Sequence, residues 1–450
     1  MEIFILAVPV RIHIINVGSV TNKGTHALLK AEVSVINRIY PWPEISISTS
    51  DSEALRRLEP AFKICHPLID IPFERADLMA IRNKKSRESL SYKFYLISFT
   101  ILMLLQVILS LTSSIIVKVG LNGFYRSETI ERFRDSDLII STADENFKEG
   151  SLYFGLTVAW KLAWWTILFS RTWDIIIAKK IFKKPIIVFP NSVGPFRTHL
   201  GGSITKTALN NVDFILLREF TSNKFLSDLK VTTPVANTTD VAVLLERNRD
   251  QPKFFAPTLR RQIIGVSPGL YAGSISKEKQ MEYLSAHSRV LDQMIEQHGV
   301  DVLFLPLEIT GMEGDDYSFC RLILQGMKHQ EKVKMIKVET AELFKSHLAR
   351  LDLLISSRMH PLVLASSEMV PTVVVCYDHK QSGFSRQLGL SDCKIDINDF
   401  SSEKLLSTTE FVWNNKERIR VHLAGVIPVL QDDVMMKIQK VCLNFLPFRN

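Results

Sequence analysis

Residues 351–390, LDLLISSRMHPLVLASSEMVPTVVVCYDHKQSGFSRQLGL, decide the fold. Leu351–Ile355 is a short apolar run, typical of a strand that is buried on both faces of a sheet. A helical pattern follows, and Val370–Pro371 ends it before a second apolar run, Thr372–Tyr377. A strand, a helix and another strand in so short a stretch predict one βαβ unit with parallel strands.

Polar and charged residues follow both of these strands. Ser356–His360 comes after the first strand and Asp378–Lys380 after the second. Open parallel sheets bind ligands beyond the carboxyl ends of their strands. Pro361 is predicted at the first helical position, which places Arg358 and His360 beside the unpaired amides of a helix N-terminus, a position that favours an anion. The pattern therefore predicts a crevice for a small phosphorylated or carboxylated substrate, although Asp378–Lys380 could also be a solvated turn.

Similar apolar runs occur in two series along the chain, with helical patterns between them. The predicted strands are Ile12–Val17, Ile45–Ser48, Leu138–Ser141, Pro185–Phe189 and Phe214–Leu217, then Ile263–Ser267, Val302–Pro306, Leu351–Ile355 and Thr372–Tyr377. Alternating strands and helices indicate an α/β protein with two Rossmann-like domains that face each other across a cleft. We expect domains over residues 1–247 and 262–400, a polar linker over 248–261, and a helical segment over 401–450.

Composition excludes several classes of protein. The 450 residues are 46% hydrophobic and 23% charged, which is typical of a globular protein. The net charge of +8 suits anionic substrates or lipid headgroups, and the absence of a nucleic-acid-binding motif argues against nucleic acid as a partner. Five widely spaced cysteines, without a CxxC pair, predict neither disulfides nor a zinc site and favour a reducing cytoplasm.

One apolar segment interrupts the α/β pattern. Residues 94–117 carry no charge, Lys93 and Lys118 flank them, and a basic cluster lies shortly before at Arg82–Arg87. The length is sufficient for a transmembrane helix. However, the strands before and after the segment should share one sheet, which cannot lie on both sides of a bilayer. Two interpretations stay open: a monotopic insertion at the inner face of the cell membrane, or a helix buried in a core or dimer.

Four segments together resemble the polysaccharide pyruvyl transferase family. They are VGSVTNKGTHALLKA, DSDLIISTADENFKEG, KKPIIVFPNSVGPFRT with FILLREFTSNKFL, and the S-R-x-H and D-x-K elements of the opening stretch. The similarity extends from about Ile12 to Leu390. It implies a two-domain GT-B-like arrangement and transfer of a pyruvyl group from phosphoenolpyruvate to a sugar of a cell-surface or lipid-linked glycan.

The resemblance also implies roles for residues of the opening stretch. A pyruvyl transferase needs a cationic pocket for phosphate and carboxylate, an acid, and a base for the attacking hydroxyl. Arg358 and Lys380 are predicted to hold the anion, with His360 as acid, base or phosphate donor. Arg218, from the other domain, is a candidate second clamp at the start of a predicted helix over Glu219–Leu226, or else a surface ion pair.

The remaining candidates lie at strand ends of the first domain. Asn22, Lys23 and Gly24 follow the first strand and form either a ligand-binding turn or only a helix start. Asp144 can orient sugar hydroxyls or cap the next segment, and Ser192 can contact ligand or belong to a turn that only shapes the cleft. We expect no metal and no cofactor, with phosphoenolpyruvate as a substrate. A nucleotide-sugar glycosyltransferase and a non-catalytic membrane-associated binding protein remain the alternatives.

Overall fold

The computed structural model describes residues 9–70, 90–150, 158–248, 261–269, 276–310 and 315–447. In these ranges the strands form two sheets, and every pair of neighbouring strands is parallel. The predicted linker over 248–261 lies almost entirely outside the described residues. The two parallel sheets with helices confirm the predicted fold class.

The first sheet has the strand order β3-β2-β1-β4-β5-β6-β7. Its strands are β1 Arg11–Val17, β2 Glu44–Thr49, β3 Lys63–Cys65, β4 Leu138–Ser141, β5 Ile186–Asn191, β6 Phe214–Leu217 and β7 Val235–Asn237. The second sheet has the order β10-β9-β8-β11-β12-β13. Its strands are β8 Ile263–Ser267, β9 Asp301–Phe304, β10 Val333–Met335, β11 Leu353–Ser356, β12 Thr372–Cys376 and β13 Lys394–Asp396.

Helices connect these strands. They are α1 Lys23–Ile39, α2 Ser52–Leu58, α3 Leu90–Lys118, α4 Ser127–Asp135, α5 Val158–Lys180, α6 His199–Leu209, α7 Thr221–Asp228, α8 Lys277–His298, α9 Asp316–Gln325, α10 Ala341–Leu348, α11 Met359–Ser367, α12 His379–Gln387, α13 Ser402–Asn414 and α14 Lys416–Phe445. In the first sheet the order of successive strands reverses between β1 and β4, and in the second between β8 and β11, while all the strands stay parallel. Such switch points open a crevice at the carboxyl edge of a sheet.

The two halves of the molecule also share packed surface. One hydrophobic cluster includes Leu28 and Ile36 from the first half and Val363 from the second. The amide of Ala341 donates to Nδ1 of the fully buried His26 at 3.2 Å, which agrees with a packing role for this histidine. The halves are therefore held in contact beside the crevice.

Helix α14 ties the end of the chain to the first half. The Gln431 side chain donates to the carbonyl of Val243 at 2.8 Å, and the hydroxyl of Tyr40 donates to the carbonyl of Leu446 at 2.9 Å. A proline inside the helix, Pro428, removes one backbone donor. Because α14 contacts both halves, it braces the arrangement of the two sheets.

Several element boundaries differ from those predicted. Helix α11 begins at Met359, so Pro361 is its third residue and not its first; a proline is tolerated there because amides of the first turn have no helical acceptor. Helix α7 begins at Thr221 and not at Glu219, because the Glu219 carboxylate accepts hydrogen bonds from the amides of Thr221 and Ser222. The three-residue strands β3, β7, β10 and β13 were not predicted, since so short a segment shows no apolar pattern.

Helix α3 contains the apolar segment. Among the described residues, one helical stretch, Thr100–Lys118, is long and apolar enough to cross a membrane, and 28% of it is buried inside the protein. Its surroundings therefore differ from those of a core helix. Insertion of this helix into a membrane stays a prediction.

A cationic crevice at two switch points

Arg358 lies two residues after the end of β11 and occupies the N-cap position of α11. Its guanidinium is paired with Asp316: Nε lies 3.0 Å from Oδ1 and 3.1 Å from Oδ2, and Nη2 also contacts Oδ1. Burial lowers the pKa of Arg358, but the charge of Asp316 outweighs it and holds the pKa above its ordinary value. Arg358 is thus a permanent cation fixed in place by a carboxylate.

Asp316 is fully buried. It is the first residue of α9, after the carboxyl end of β9, and β8 separates β9 from β11. A Cβ added to Gly269, beyond β8, would lie 2.2 Å from Nε of Arg358 and 2.5 Å from Oδ1 of Asp316. The ion pair therefore crosses the backbone of the intervening strand end, where a side chain does not fit.

His360 belongs to the second half but packs against the first turn of α1. A Cβ added to Gly24 would lie only 2.0 Å from Nδ1 of His360. Asn22 is the N-cap of α1, and its side chain accepts a hydrogen bond from the Gly24 amide at 2.9 Å. The predicted Asn22–Gly24 turn and His360, far apart in sequence, therefore meet across the two halves.

The imidazole of His360 is electrostatically set to be neutral. Burial lowers its pKa below the ordinary value; Arg218 and Arg358 lower it further, while Asp240 and Asp144 oppose them. Its Nε2 atom is buried and has no hydrogen-bond partner among the residues that the structure describes. A neutral imidazole with an unoccupied ring nitrogen can accept or donate a proton according to its tautomer.

Lys23, the residue between Asn22 and Gly24, points toward another part of the crevice. Its Nζ donates to the carbonyl of Thr21 at 2.6 Å. Burial lowers the pKa of Lys23, whereas the charges of Glu339 and Glu308 raise it. Glu308 also lies 3.9 Å from Nη2 of Arg358, so Lys23 faces the same acidic residue as Arg358.

Arg218 is a buried residue at the carboxyl end of β6, with 1% of its surface exposed, and not a surface ion pair. Its Nη1 lies 2.9 Å from Oδ2 of Asp240, and its Nε donates to the hydroxyl of Ser192 at 2.8 Å. Nη2 has no hydrogen-bond partner within the described ranges and lies 3.6 Å from Glu145. Arg218 is held rigidly with one end directed at Glu145.

Glu145 is surrounded by cations from both halves. Lys380 from α12 and Lys148 from its own loop both contact its carboxylate, in addition to Arg218. Burial lowers the pKa of Lys148, and the nearby Asp378 and Asp144 oppose this shift. Three buried cations thus converge on one carboxylate, an arrangement that suits a ligand with several negative charges.

Asp144 and Ser192 lie beside this cluster. The backbone carbonyl of Asp144 accepts a hydrogen bond from the Ser192 amide at 2.9 Å. The Asp144 side chain is half-buried, and its charge acts on both His360 and Lys148. Both predicted residues therefore line the crevice, with Ser192 already engaged by Arg218.

His379 links the two halves through carboxylates on either side. Its Nδ1 lies 2.7 Å from Asp378, and its Nε2 lies 3.6 Å from Glu219 of the first half. Burial alone would lower the pKa of His379, but the hydrogen bond with Asp378 and the negative charges of Asp378 and Glu219 raise it to about 9. His379 is therefore a charged imidazolium at neutral pH and serves as part of the contact between the halves.

Sequence reasoning found most of the cations but missed several partners. Asp240 follows β7, a strand that was not predicted, and Lys148 lies in the same loop as the predicted Asp144. The signal for Lys148 was its position, a few residues beyond the end of β4. Among the described residues, no group of three or more His, Cys, Asp or Glu is placed to hold a metal ion.

The fold and the crevice define a class of protein: a GT-B-like protein with a cationic site between two Rossmann-like halves. Solved structures confirm the fold. UDP-GlcNAc 2-epimerase from Neisseria meningitidis, bound to UDP-GlcNAc, matches with a TM-score of 0.55 and 11% identity over 96% of this chain and 99% of its own. The glycotransferase of kitacinnamycin matches with a TM-score of 0.51 and 11% identity over 98% and 100%.

Residues 22–379 match the model of the polysaccharide pyruvyl transferase family, and the chain belongs to this family. The chain is also 26% identical over 258 residues to the amylovoran biosynthesis protein AmsJ of Erwinia amylovora. That similarity covers 54% of this chain and 62% of AmsJ.

Proposed function

We propose that this protein transfers a pyruvyl group from phosphoenolpyruvate to two hydroxyls of one sugar in a cell-surface or lipid-linked glycan. The observation that carries the proposal is the convergence of Arg218, Lys148 and Lys380 beside the neutral His360. Phosphoenolpyruvate carries a phosphate and a carboxylate close together, which is the charge pattern that three neighbouring cations can bind. Family membership supports the same reaction.

For an anion to bind in the crevice, the carboxylate of Glu145 must move away from the cations that it contacts. Lys380, Lys148 and Arg218 contact Glu145 in the structure, so a phosphate or carboxylate arriving there competes with this carboxylate. Arg218 is the most firmly placed of the three, because Asp240 and Ser192 fix its other nitrogens. Asp316 engages Nε and Nη2 of Arg358, whose positive charge adds to the potential that favours an anion in the crevice.

The reaction balances with one proton shuttle. One sugar hydroxyl attacks C2 of the enolpyruvyl group and its proton passes to Nε2 of His360, which returns it to the methylene carbon, making a methyl group. The second hydroxyl then bonds to C2 as the bond from C2 to the phosphate oxygen breaks, and its proton leaves with the phosphate. The products are a cyclic ketal and inorganic phosphate. A neutral His360 is required at the first step, and burial keeps it neutral.

Glycan analysis tests the proposal. Mass spectrometry of surface glycans is compared between cells with the gene, without it, and carrying His360→Ala. We expect a pyruvate ketal on a sugar in the first sample and its absence in the other two. Identical glycans in all three samples would contradict the proposal and favour a non-catalytic binding protein.

We also propose a cytoplasmic location. All five cysteines are unpaired and buried, as suits a reducing compartment. Burial raises the pKa of Cys442 to about 12, which keeps this thiol protonated and unreactive. Fractionation of cells into cytoplasmic, membrane and exported material tests this location, and recovery in the exported fraction would contradict it.

A further inference from the structure

Helix α3 has an apolar face turned to solvent. Its large apolar side chains that are at least one-third exposed are Phe94, Ile97, Ile101, Leu102, Leu104, Leu105, Ile108, Leu111 and Ile115, and all but Leu102 follow a helical spacing of three or four residues. Such spacing places them on one side of the helix, along a stripe of about 30 Å. Val119, Leu121 and Phe124 extend the exposed apolar surface beyond the end of the helix. A soluble monomer rarely exposes so continuous an apolar surface.

The opposite face of α3 is polar and holds the helix on the protein. The side-chain amide of Gln106 exchanges two hydrogen bonds of 3.0 Å with the backbone of Asp70. Trp173 donates to the hydroxyl of Ser110 at 2.9 Å, and the Ser113 hydroxyl accepts from the amides of Phe124 and Tyr125. Polar side chains, together with Val117, are thus buried against the protein, while large apolar side chains face outward.

The topology excludes a single crossing of a bilayer by this helix. Strand β1 precedes α3 and β4 follows it, and the two strands pair in parallel, with Ile12 opposite Leu138. The chain therefore returns to the sheet from which it left. Because the polar face of α3 rests against the protein over at least Gln106–Ser113, the helix can meet a membrane only along its side.

We propose that the exposed face of α3 docks in the plane of an anionic lipid bilayer. The charge of the flanking sequence favours lipid over a second copy of this chain. Between Arg82 and Lys118 there are six basic residues and one acidic residue, all outside the uncharged stretch. Anionic headgroups attract such a basic sequence, whereas a second copy of this chain carries the same positive charge and offers no complementary one.

The position of α3 gives this surface a consequence for the crevice. Asp70, which Gln106 binds, lies a few residues after the carboxyl end of β3, and the crevice lies at the carboxyl edge of the same sheet. Docking along α3 therefore holds the sheet that forms one side of the crevice beside the bilayer. Lipid binding itself does not depend on the proposed pyruvyl transfer.

Vesicle co-sedimentation of the full-length protein tests the proposal. The probes are vesicles of pure phosphatidylcholine and vesicles that contain phosphatidylglycerol. One variant carries Ile97→Asn, Ile101→Asn and Ile108→Asn. A matched control carries Val421→Asn, Val429→Asn and Met436→Asn, three similarly exposed apolar residues of α14. We expect the wild type and the control to bind anionic vesicles. The affinity of the α3 variant for these vesicles should be lower by at least a factor on the order of ten.

Each outcome bears on the proposal. Absence of wild-type binding, or equal loss in the control variant, overturns it. Light scattering in the absence of lipid completes the test: a wild type that is dimeric, binds no vesicles and becomes monomeric in the α3 variant would show that a second copy covers this face. Because the assay contains neither phosphoenolpyruvate nor glycan, a failed pyruvyl transferase proposal leaves its result unaffected.

Discussion

The turns that follow β11 and β12 carry histidines in opposite electrostatic settings. His360 is neutral, because burial and the nearby Arg218 and Arg358 lower its pKa, and its Nε2 is buried without a hydrogen bond to any described residue. His379 is charged, because Asp378 and Glu219 raise its pKa to about 9. Histidines at neighbouring strand ends can therefore have different roles. His360 is available for proton transfer, whereas His379 joins the two halves.

The difference arises from what each turn meets in the opposite half of the molecule. His360 meets the backbone of Gly24, which offers room but no charge. His379 meets the carboxylate of Glu219, which also caps α7. A position at a strand end thus brings a side chain to the crevice. The residue that it meets across the crevice then determines its charge state.

The largest expected effect is the loss of proton transfer at His360. Replacing it in His360→Ala removes the group proposed to move a proton, and we expect pyruvyl transfer to fall about 10²–10⁴-fold. Turnover of phosphoenolpyruvate, followed as released phosphate, measures this. His329→Ala is the matched control, since His329 forms an exposed ion pair with Glu296. Retained activity in His360→Ala would remove this histidine from the mechanism.

A large effect on stability is expected at the buried ion pair between Arg358 and Asp316. Asp316→Asn leaves the Arg358 guanidinium buried without its counter-charge, and we expect the free energy of unfolding to fall by about 3–5 kcal/mol. Urea unfolding measures it, with Asp399→Asn, an exposed position, as the control. A change below about 1 kcal/mol would mean that water or another group compensates the charge.

A smaller effect on activity is expected from Gly24→Ala. The added methyl group would overlap the imidazole of His360, so the ring must move, and a displacement of about 1 Å commonly costs on the order of 10²-fold in rate. Gly18→Ala provides the control, because a Cβ there meets its nearest atom at 3.6 Å. Equal activities of the two variants would show that the contact between Gly24 and His360 is unimportant.

The smallest effect concerns the pH dependence of stability at His379. Its pKa is raised from 6.5 to about 9 in the folded protein, so its contribution is complete below pH 6.5 and is lost as the pH rises through 9. The expected contribution is roughly 2–3 kcal/mol, with allowance for its partial exposure. The stability difference between the wild type and His379→Gln should therefore shrink from pH 6 to pH 9.5. A constant difference would contradict a charged His379.

Much of the fold could be predicted because most of its strands are apolar runs of buried residues. Phe214–Leu217 and Ile263–Ser267 were predicted at their observed boundaries. The short edge strands were not, since three residues such as Val235–Asn237 carry too little pattern. Likewise, a helix start depends on local capping groups: Glu219 caps α7 from outside the helix, which the apolar pattern does not reveal.

The site was only partly predictable for a different reason. Arg218, Arg358 and Lys380 stand at strand ends, and parallel sheets gather such residues at one edge. Their partners depend on strand order, which the sequence does not state. Asp316 reaches Arg358 because β8 lies between β9 and β11, and a charged pair can cross a glycine at that point. The catalytic and binding roles of Arg218, Arg358 and Lys380 stay predictions.

Isothermal titration of phosphoenolpyruvate into the full-length protein tests the central claim most directly. UDP- and GDP-sugars are titrated in parallel, and Arg218→Gln, which removes one of the three converging cations, is measured beside the wild type. The account predicts that phosphoenolpyruvate binds to the wild type, that its affinity falls in Arg218→Gln, and that nucleotide sugars give no heat of binding. Binding of a nucleotide sugar without binding of phosphoenolpyruvate would contradict this function and favour an enzyme that uses a nucleotide sugar.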